Sequence, residues 1–276
     1  MIDKKLLVRR ALFVVYFVVV FLIFLVLLFP FERIKERLES EIHQRTPFEL
    51  NIARVYPIFL NQFVLSDVVL SDRNGKVVFE SQQVRTSISL FGLLHNLLSV
   101  DMKARAYGGE LLMKAQQGSG RQYVLLDASG LDIGSYPVFK DAGLRFSGKL
   151  GGTLELANDT GKGRFWLKGL TSRDLKVKGF SVPDLDFDQC WLESDIKGDR
   201  LTIRKLELDG KELKIQCQGD VVLRERGSLN LLVKIKPSER LAQQQAGLLS
   251  LFKNRDAEGF YQFSLGGTFD APVPRL

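Results

Sequence analysis

The spacing of polar and apolar positions changes character twice along this chain. Residues 11–29 read ALFVVYFVVVFLIFLVLLF, with no polar atom beyond the Tyr16 hydroxyl, and no charge occurs from Ala11 to Phe31. A helix of that length covers about 29 Å, close to a hydrocarbon core of about 30 Å. In that medium a helix is the one single-segment structure that satisfies its own backbone. The pattern therefore predicts a transmembrane helix over residues 11–31. A cleaved secretory signal would have a shorter apolar run followed by small residues. This run ends Phe29-Pro30-Phe31-Glu32, which predicts an uncleaved anchor. Lys4, Lys5, Arg9 and Arg10 precede it. They determine the topology: residues 1–10 form a cytoplasmic basic leader, and everything from residue 32 lies outside. Residues 88–100 are too short for a second span and include His95 and Asn96.

Past the membrane the period becomes four. Ile34, Leu38 and Ile42 stripe an otherwise charged segment, which predicts an exposed helical stalk over residues 32–46, ended by Pro47. Two heptads are short for a self-associating coiled coil.

From there the period is two. Val64, Ser66, Val68 and Leu70 alternate, Asn74-Gly75 supplies a strong hairpin signal, and Val77 and Phe79 resume the alternation. Residues 88–98 predict a short apolar helix packed on the sheet, and residues 100–128 predict strands broken by a turn at 116–120. The clearest strand is 144–156. Leu144, Phe146, Leu150, Leu154 and Leu156 share one face with Gly148 and Gly152, opposite Arg145, Ser147, Lys149, Thr153 and Glu155. That face is the candidate lipid- or partner-facing surface, because such alternation gives one dry and one wet side. Further strands are expected at 164–170, 174–182, 185–192, 201–208, 213–223 and 229–235. The turns are short and bear glycine, at Lys197-Gly198, Asp209-Gly210 and Arg226-Gly227, which predicts an antiparallel meander. Ser238 is placed to cap a helix to about residue 253, and a last strand covers 259–269. Leu265-Gly266-Gly267-Thr268-Phe269 echoes Leu150-Gly151-Gly152-Thr153-Leu154, a weak sign of two related halves.

The fold class expected is mainly β: an N-terminal transmembrane helix plus an extended, curved, groove-like antiparallel sheet with two or three short covering helices. Residues 47–276 form the periplasmic β domain. Apolar residues at 45% and charged residues at 26% suit a folded protein. Of the net charge of +7, the leader's four basic residues against Asp3 supply three. The rest is too scattered for a nucleic-acid footprint, so no nucleic-acid partner is expected.

Chemistry-bearing motifs are sparse. There is no phosphate-cradling Gly-rich loop ending in Lys-Ser/Thr, no G-x-S-x-G and no H-E-x-x-H. His43 lies on the stalk and His95 in an apolar helix, both without predicted partners for proton transfer. Ser194 and Lys197 spell S-x-x-K, but at a strand end instead of a helix start. Asp184, Asp186, Asp188 and Asp195 approach calcium-loop spacing. Gln189 stands where that loop needs glycine, and Asp195 where it needs a bidentate Glu. No catalytic, cofactor-binding or metal residue is assigned, no cofactor is expected, and the chain is not read as an enzyme. Cys190 and Cys217 fall on strands separated by another. Two strand spacings are about 9.5 Å, beyond disulfide reach, so both are expected as free, buried thiols.

The anchor, the segment GLDIGSYPVFKDAGLRFSGKLGGTLEL (130–156) and the terminal LGGTFDAPVPRL (265–276) resemble the type II secretion system protein N family. More distantly they resemble AsmA-like proteins. The first resemblance implies a single-pass inner-membrane protein with a periplasmic domain, a non-enzymatic scaffold of the protein secretion machine. Its partners would be the bilayer and other secretion-system proteins. The second implies an apolar β-groove that holds phospholipid acyl chains, in lipid binding or intermembrane transfer.

Overall fold

A computed structural model describes residues 16–17, 20, 31–59, 61–141, 143–173, 176–177, 180–181, 183–224, 227–250, 252, 255–268 and 271–275. The chain divides into two compact units, Met1–Leu90 and Phe91–Leu276. The basic leader and nearly all of the expected anchor lie outside the described residues. Among those described, no helix is long and apolar enough to cross a membrane.

The first unit pairs a helix with a three-stranded antiparallel meander. Helix α1 (Phe31–Arg45) is followed by β1 (Phe48–Phe59), β2 (Gln62–Asp72) and β3 (Val77–Ile88). The helix forms where its spacing predicts, but it packs against β1 and is not a bare stalk. The Thr46 hydroxyl donates to the Ile42 carbonyl at 2.7 Å and accepts from the Phe48 amide at 3.2 Å, reversing the chain. The Glu39 carboxylate then accepts the Ile52 amide at 2.9 Å. At the β2–β3 hairpin, Asp72 accepts from the amides of Lys76 and Asn74 at 2.8 and 2.9 Å. These bonds hold its carboxyl below the usual range, Lys76 contributing most.

Alternation in this unit breaks at a place the sequence does not mark. The buried positions are Leu65 and Val68, not the Val64–Ser66–Val68 series expected. Asp67 adopts φ 50° between them, so residues three apart share the inner face. Ile52 and Val55 on β1, and Ser81 and Val84 on β3, are buried with the same spacing and stand opposite them in register.

In the second unit, eleven described strands are hydrogen-bonded in chain order except for one omission. They are β4 (Leu98–Ala106), β5 (Gly109–Gly118), β6 (Arg121–Asp132), β7 (Arg145–Ala157) and β8 (Thr160–Arg173), then β11 (Leu185–Lys197), β12 (Arg200–Gly210), β13 (Leu213–Val222), β14 (Ser228–Pro237), β15 (Tyr261–Gly267) and β16 (Pro272–Arg275). The expected strand 174–182 is not part of this meander. Its described pieces, β9 (Lys176–Val177) and β10 (Phe180–Ser181), pair only with each other. β8 instead pairs directly with β11. The last expected strand ends at Gly267, and the Pro272–Arg275 segment returns beside it.

Short helices decorate this sheet. The apolar run after Ile88 shrinks to α2 (Leu90–Leu94), with Leu90 and Phe91 exposed. A 3-10 turn (Ile133–Ser135) and α3 (Pro137–Asp141) precede β7. Ser238 caps the next helix as expected, accepting from the Leu241 amide at 3.2 Å and donating to Glu212 at 2.7 Å. That helix is broken into α4 (Glu239–Gln244) and α5 (Ala246–Leu249), because Gln245 leaves helical geometry.

Candidate functional site

Antiparallel register aligns the apolar positions of neighbouring strands into rows that cross the second unit. One row runs Met102, Met113, Leu126, Leu154, Gly163, Ser194, Ile203, Gly219, Leu231 and Leu265, from β4 to β15. The next runs Leu111, Ala128, Gly152, Phe165, Leu192, Leu206, Cys217, Val233 and Phe263. Neighbouring strands are spaced by about 4.8 Å, so the ten strands from β4 to β15 carry this face over about 43 Å. Most of its large side chains are half-buried, Leu126, Leu154, Phe165, Ile203 and Leu231 among them.

Extra residues keep the rows on one side. The register shifts between Ser147 and Lys149 opposite β8, where Gly169 takes φ 62°. It shifts again at β11 between Phe187 and Gln189. Leu167 and Leu170, like Phe187 and Cys190, are three apart and pack in the same cluster. Arg204-Lys205 on β12 and Ser129-Gly130 on β6 are further insertions. Each puts polar or glycine residues into the irregular position and returns apolar ones to the inner face. Gly152 and Gly163 matter for a different reason. A Cβ on Gly152 would come 2.5 Å from the Phe165 ring and from the Arg164 carbonyl, and one on Gly163 would come 2.8 Å from the Ser194 hydroxyl. The Phe165 ring occupies the room these two glycines leave.

The five residues singled out on 144–156 do not behave as one set. Leu150, Leu154 and Leu156 lie on the apolar face in register with Leu167, Gly163 and Gly161. Leu144 precedes the strand, its amide bonded to the Phe139 carbonyl at 2.8 Å. Phe146 belongs to a chain of edge-on rings through Phe139, Tyr136 and Tyr107, with centroids 5.2, 5.4 and 5.6 Å apart. That plug covers one part of the face. At another, Leu241 of α4 closes over Leu185, Phe187 and Cys190. Among the described residues, the 3-10 turn and α3 contact β7, and Leu241 packs with the next row along, Leu167, Cys190, Leu208 and Ile215. Lys4, Lys5, Arg9 and Arg10 lie outside the described residues.

The opposite face is charged and cross-linked. Lys103 pairs with Glu110 at 2.8 Å, Lys205 with Glu207 at 2.9 Å and Lys214 with Asp209 at 2.8 Å. Three of the four aspartates with calcium-like spacing have basic partners here. Asp184 and Asp186 face Arg173 and Asp195 pairs with Arg204, while Leu185 and Phe187 between them are buried. Among the described residues, no three His, Cys, Asp or Glu side chains gather to hold a metal. Ser194 is buried in mid-sheet and Lys197 is exposed at the strand end. His95 is exposed, its Nδ1 3.0 Å from the Phe91 carbonyl.

No protein-family model, curated protein or solved structure matches the chain.

Both cysteines are buried and unbridged, with β12 between their strands: Cys190 faces Leu208, and Cys217 faces Leu206. Burial pushes the Cys190 thiol up to about 11 and raises that of Cys217. They are packing residues, inert as nucleophiles at neutral pH. What sequence reading missed is the row across the strands: Met113, Leu126, Ile203 and Leu231 join Leu154 only through register, with Phe165 in the row beside them.

Proposed function

We propose that this chain is a membrane-anchored, non-enzymatic protein whose second unit holds lipid acyl chains on its apolar sheet face, in the manner the AsmA-like resemblance implies. The observation that carries the reading is the pair of adjacent rows through Leu154 and Phe165, whose large apolar side chains stay half-buried. A contiguous apolar surface of this kind is costly in water and rare on a protein without a partner for it. An acyl chain is a fitting cover, because the row offers contact without a hydrogen-bonding demand. The inserted residues at Gly169, Asp188 and Arg204-Lys205 bend and twist their strands, which favours a curved trough over a flat plate. A periplasmic location, with the N-terminus inside, follows from the basic leader and the apolar run.

The scaffold role implied by the type II secretion protein N resemblance is the second reading. It is favoured by Trp191, 44% exposed on the otherwise charged face and 6.1 Å from Trp166, since exposed tryptophan is typical of protein contact sites. Strand addition is a poor route for it at β16, where Pro272 and Pro274 have no N–H to give an added strand.

Native mass spectrometry of the full chain released from mild detergent tests the choice. The lipid reading expects bound phospholipid, lost from Leu154→Glu while the folded charge-state distribution is kept. A lipid-free wild-type chain that co-purifies with secretion-machine proteins, and loses them on Trp191→Ala, would establish the scaffold instead.

A further inference from the structure

The first unit carries an apolar surface that neither the sheet core nor the trough uses. Ile58 and Phe59 at the end of β1 are 55% and 64% exposed, and Leu90 is 49% exposed. Asn61 brings them to one end of the unit, accepting from the Ile88 amide at 2.8 Å and donating its side-chain amide to the Ile88 carbonyl at 3.2 Å. The opposite end, the Arg73–Lys76 turn, is wholly polar and exposed. One residue layer behind the apolar tip stand Tyr56 and Arg85, both opposite Val64, and one layer further back Arg54 bonds the Tyr56 hydroxyl at 3.1 Å.

The contacts of α1 fix which way this tip points. His43 meets Glu49 at 3.8 Å and Glu39 meets Ile52 at 2.9 Å, so the helix runs backwards as β1 runs forwards. From Glu39 to the helix start at Phe31 is about 12 Å. From Ile52 to Phe59 along the strand is about 23 Å, or about 18 Å if the two are inclined by about 40°. The tip therefore reaches about 6–11 Å beyond the start of α1, and that start is where the apolar run 11–31 ends.

We infer that the Ile58–Phe59–Leu90 end of the first unit is a bilayer-docking surface that inserts into the headgroup and acyl boundary beside the chain's own anchor. The reach matches the depth of about 5–10 Å at which interfacial apolar groups sit. Tyr56 with two arginines behind an apolar fringe is the arrangement that the membrane interface selects, the ring at headgroup level and the cations on lipid phosphate. The inference rests on the anchor reading, and it deepens that reading: the anchored body is held against the membrane at a second point, with a set orientation.

The test uses the full chain reconstituted in vesicles of phosphatidylethanolamine and phosphatidylglycerol whose acyl chains carry bromine near the headgroup. Phe59→Trp and Leu90→Trp are each compared with Asn74→Trp at the polar end, the emission of the unsubstituted chain being subtracted. Docking expects a blue-shifted added emission with about a twofold or greater loss to bromine for Phe59→Trp and Leu90→Trp, and no loss for Asn74→Trp. A chain that does not float with the vesicles overturns the anchor and the docking surface together. A chain that floats while Phe59→Trp and Leu90→Trp stay as unquenched as Asn74→Trp overturns the docking surface alone.

Discussion

The two units solve the same problem, a sheet with one apolar face, in different ways. In the first, a helix of fifteen residues lies along β1, and Ile52 beneath it is 0% exposed. In the second, eleven strands share two short helical covers, and most apolar side chains between the covers stay half-buried. Cover by a helix makes a face into a core. Lateral packing between neighbouring strands shields a side chain's flanks but leaves its end in contact with solvent or a ligand. The same alternation in sequence therefore yields a stabilising core in one unit and an open surface in the other.

The sharpest way to break this contrast is to truncate one side chain from each. Ile52→Ala removes a fully enclosed side chain, for which a loss of about 3–4 kcal/mol is expected. Both tryptophans lie in the second unit, so amide hydrogen exchange of β1–β3 is the suitable measure. Protection there should fall by about two to three orders of magnitude. Phe139→Ala removes the middle of the aromatic plug, and because that ring is half-buried, about 2 kcal/mol is expected from a urea midpoint read by tryptophan fluorescence. Leu154→Ala should cost about 1 kcal/mol by the same measure, since its end is already open. If Leu154→Ala proves as damaging as Ile52→Ala, the face is closed and the contrast fails.

Sequence periodicity reveals strands well and cover poorly. The Asn74-Gly75 hairpin, the strand about Leu150 and Leu154, and the glycine turns at 198 and 227 all stand where local spacing places them, because each depends on a few adjacent residues. The intervening strand between Cys190 and Cys217 follows from counting those strands. The inserted residues do not, since nothing local to Gly169, Asp188 or Asp67 distinguishes a bulge from ordinary alternation. That is why Leu65 takes the inner position expected for Val64 and Ser66. Phe146 reads as part of the open face, but Phe139 and Tyr136 fold over it from a segment whose placement only the tertiary structure fixes. The α1 stripe reads as an exposed stalk for the same reason: the Glu39–Ile52 bond joins residues thirteen apart through a reversal at Thr46.

Whether α4 truly seals its part of the second unit can be read at a single thiol. Cys190 lies in the cluster closed by Leu241, and burial lifts its thiol from near 9 to about 11. The folded chain therefore holds a proton that the unfolded chain releases between those values. Stability from this group is full below pH 9 and is lost as pH rises through 11. In Cys190→Ala the fall in urea midpoint between pH 9 and 11 should be shallower than in the unsubstituted chain, the difference being that one thiol's share. Leu241→Ala opens the cover and should bring the thiol back toward its ordinary value, so native-state alkylation of Cys190 at pH 8.5 should rise with it. An alkaline fall of equal slope in Cys190→Ala, together with equal alkylation in Leu241→Ala, would mean that the helix does not shield the thiol, and the covered end of this sheet would be no different from its open middle.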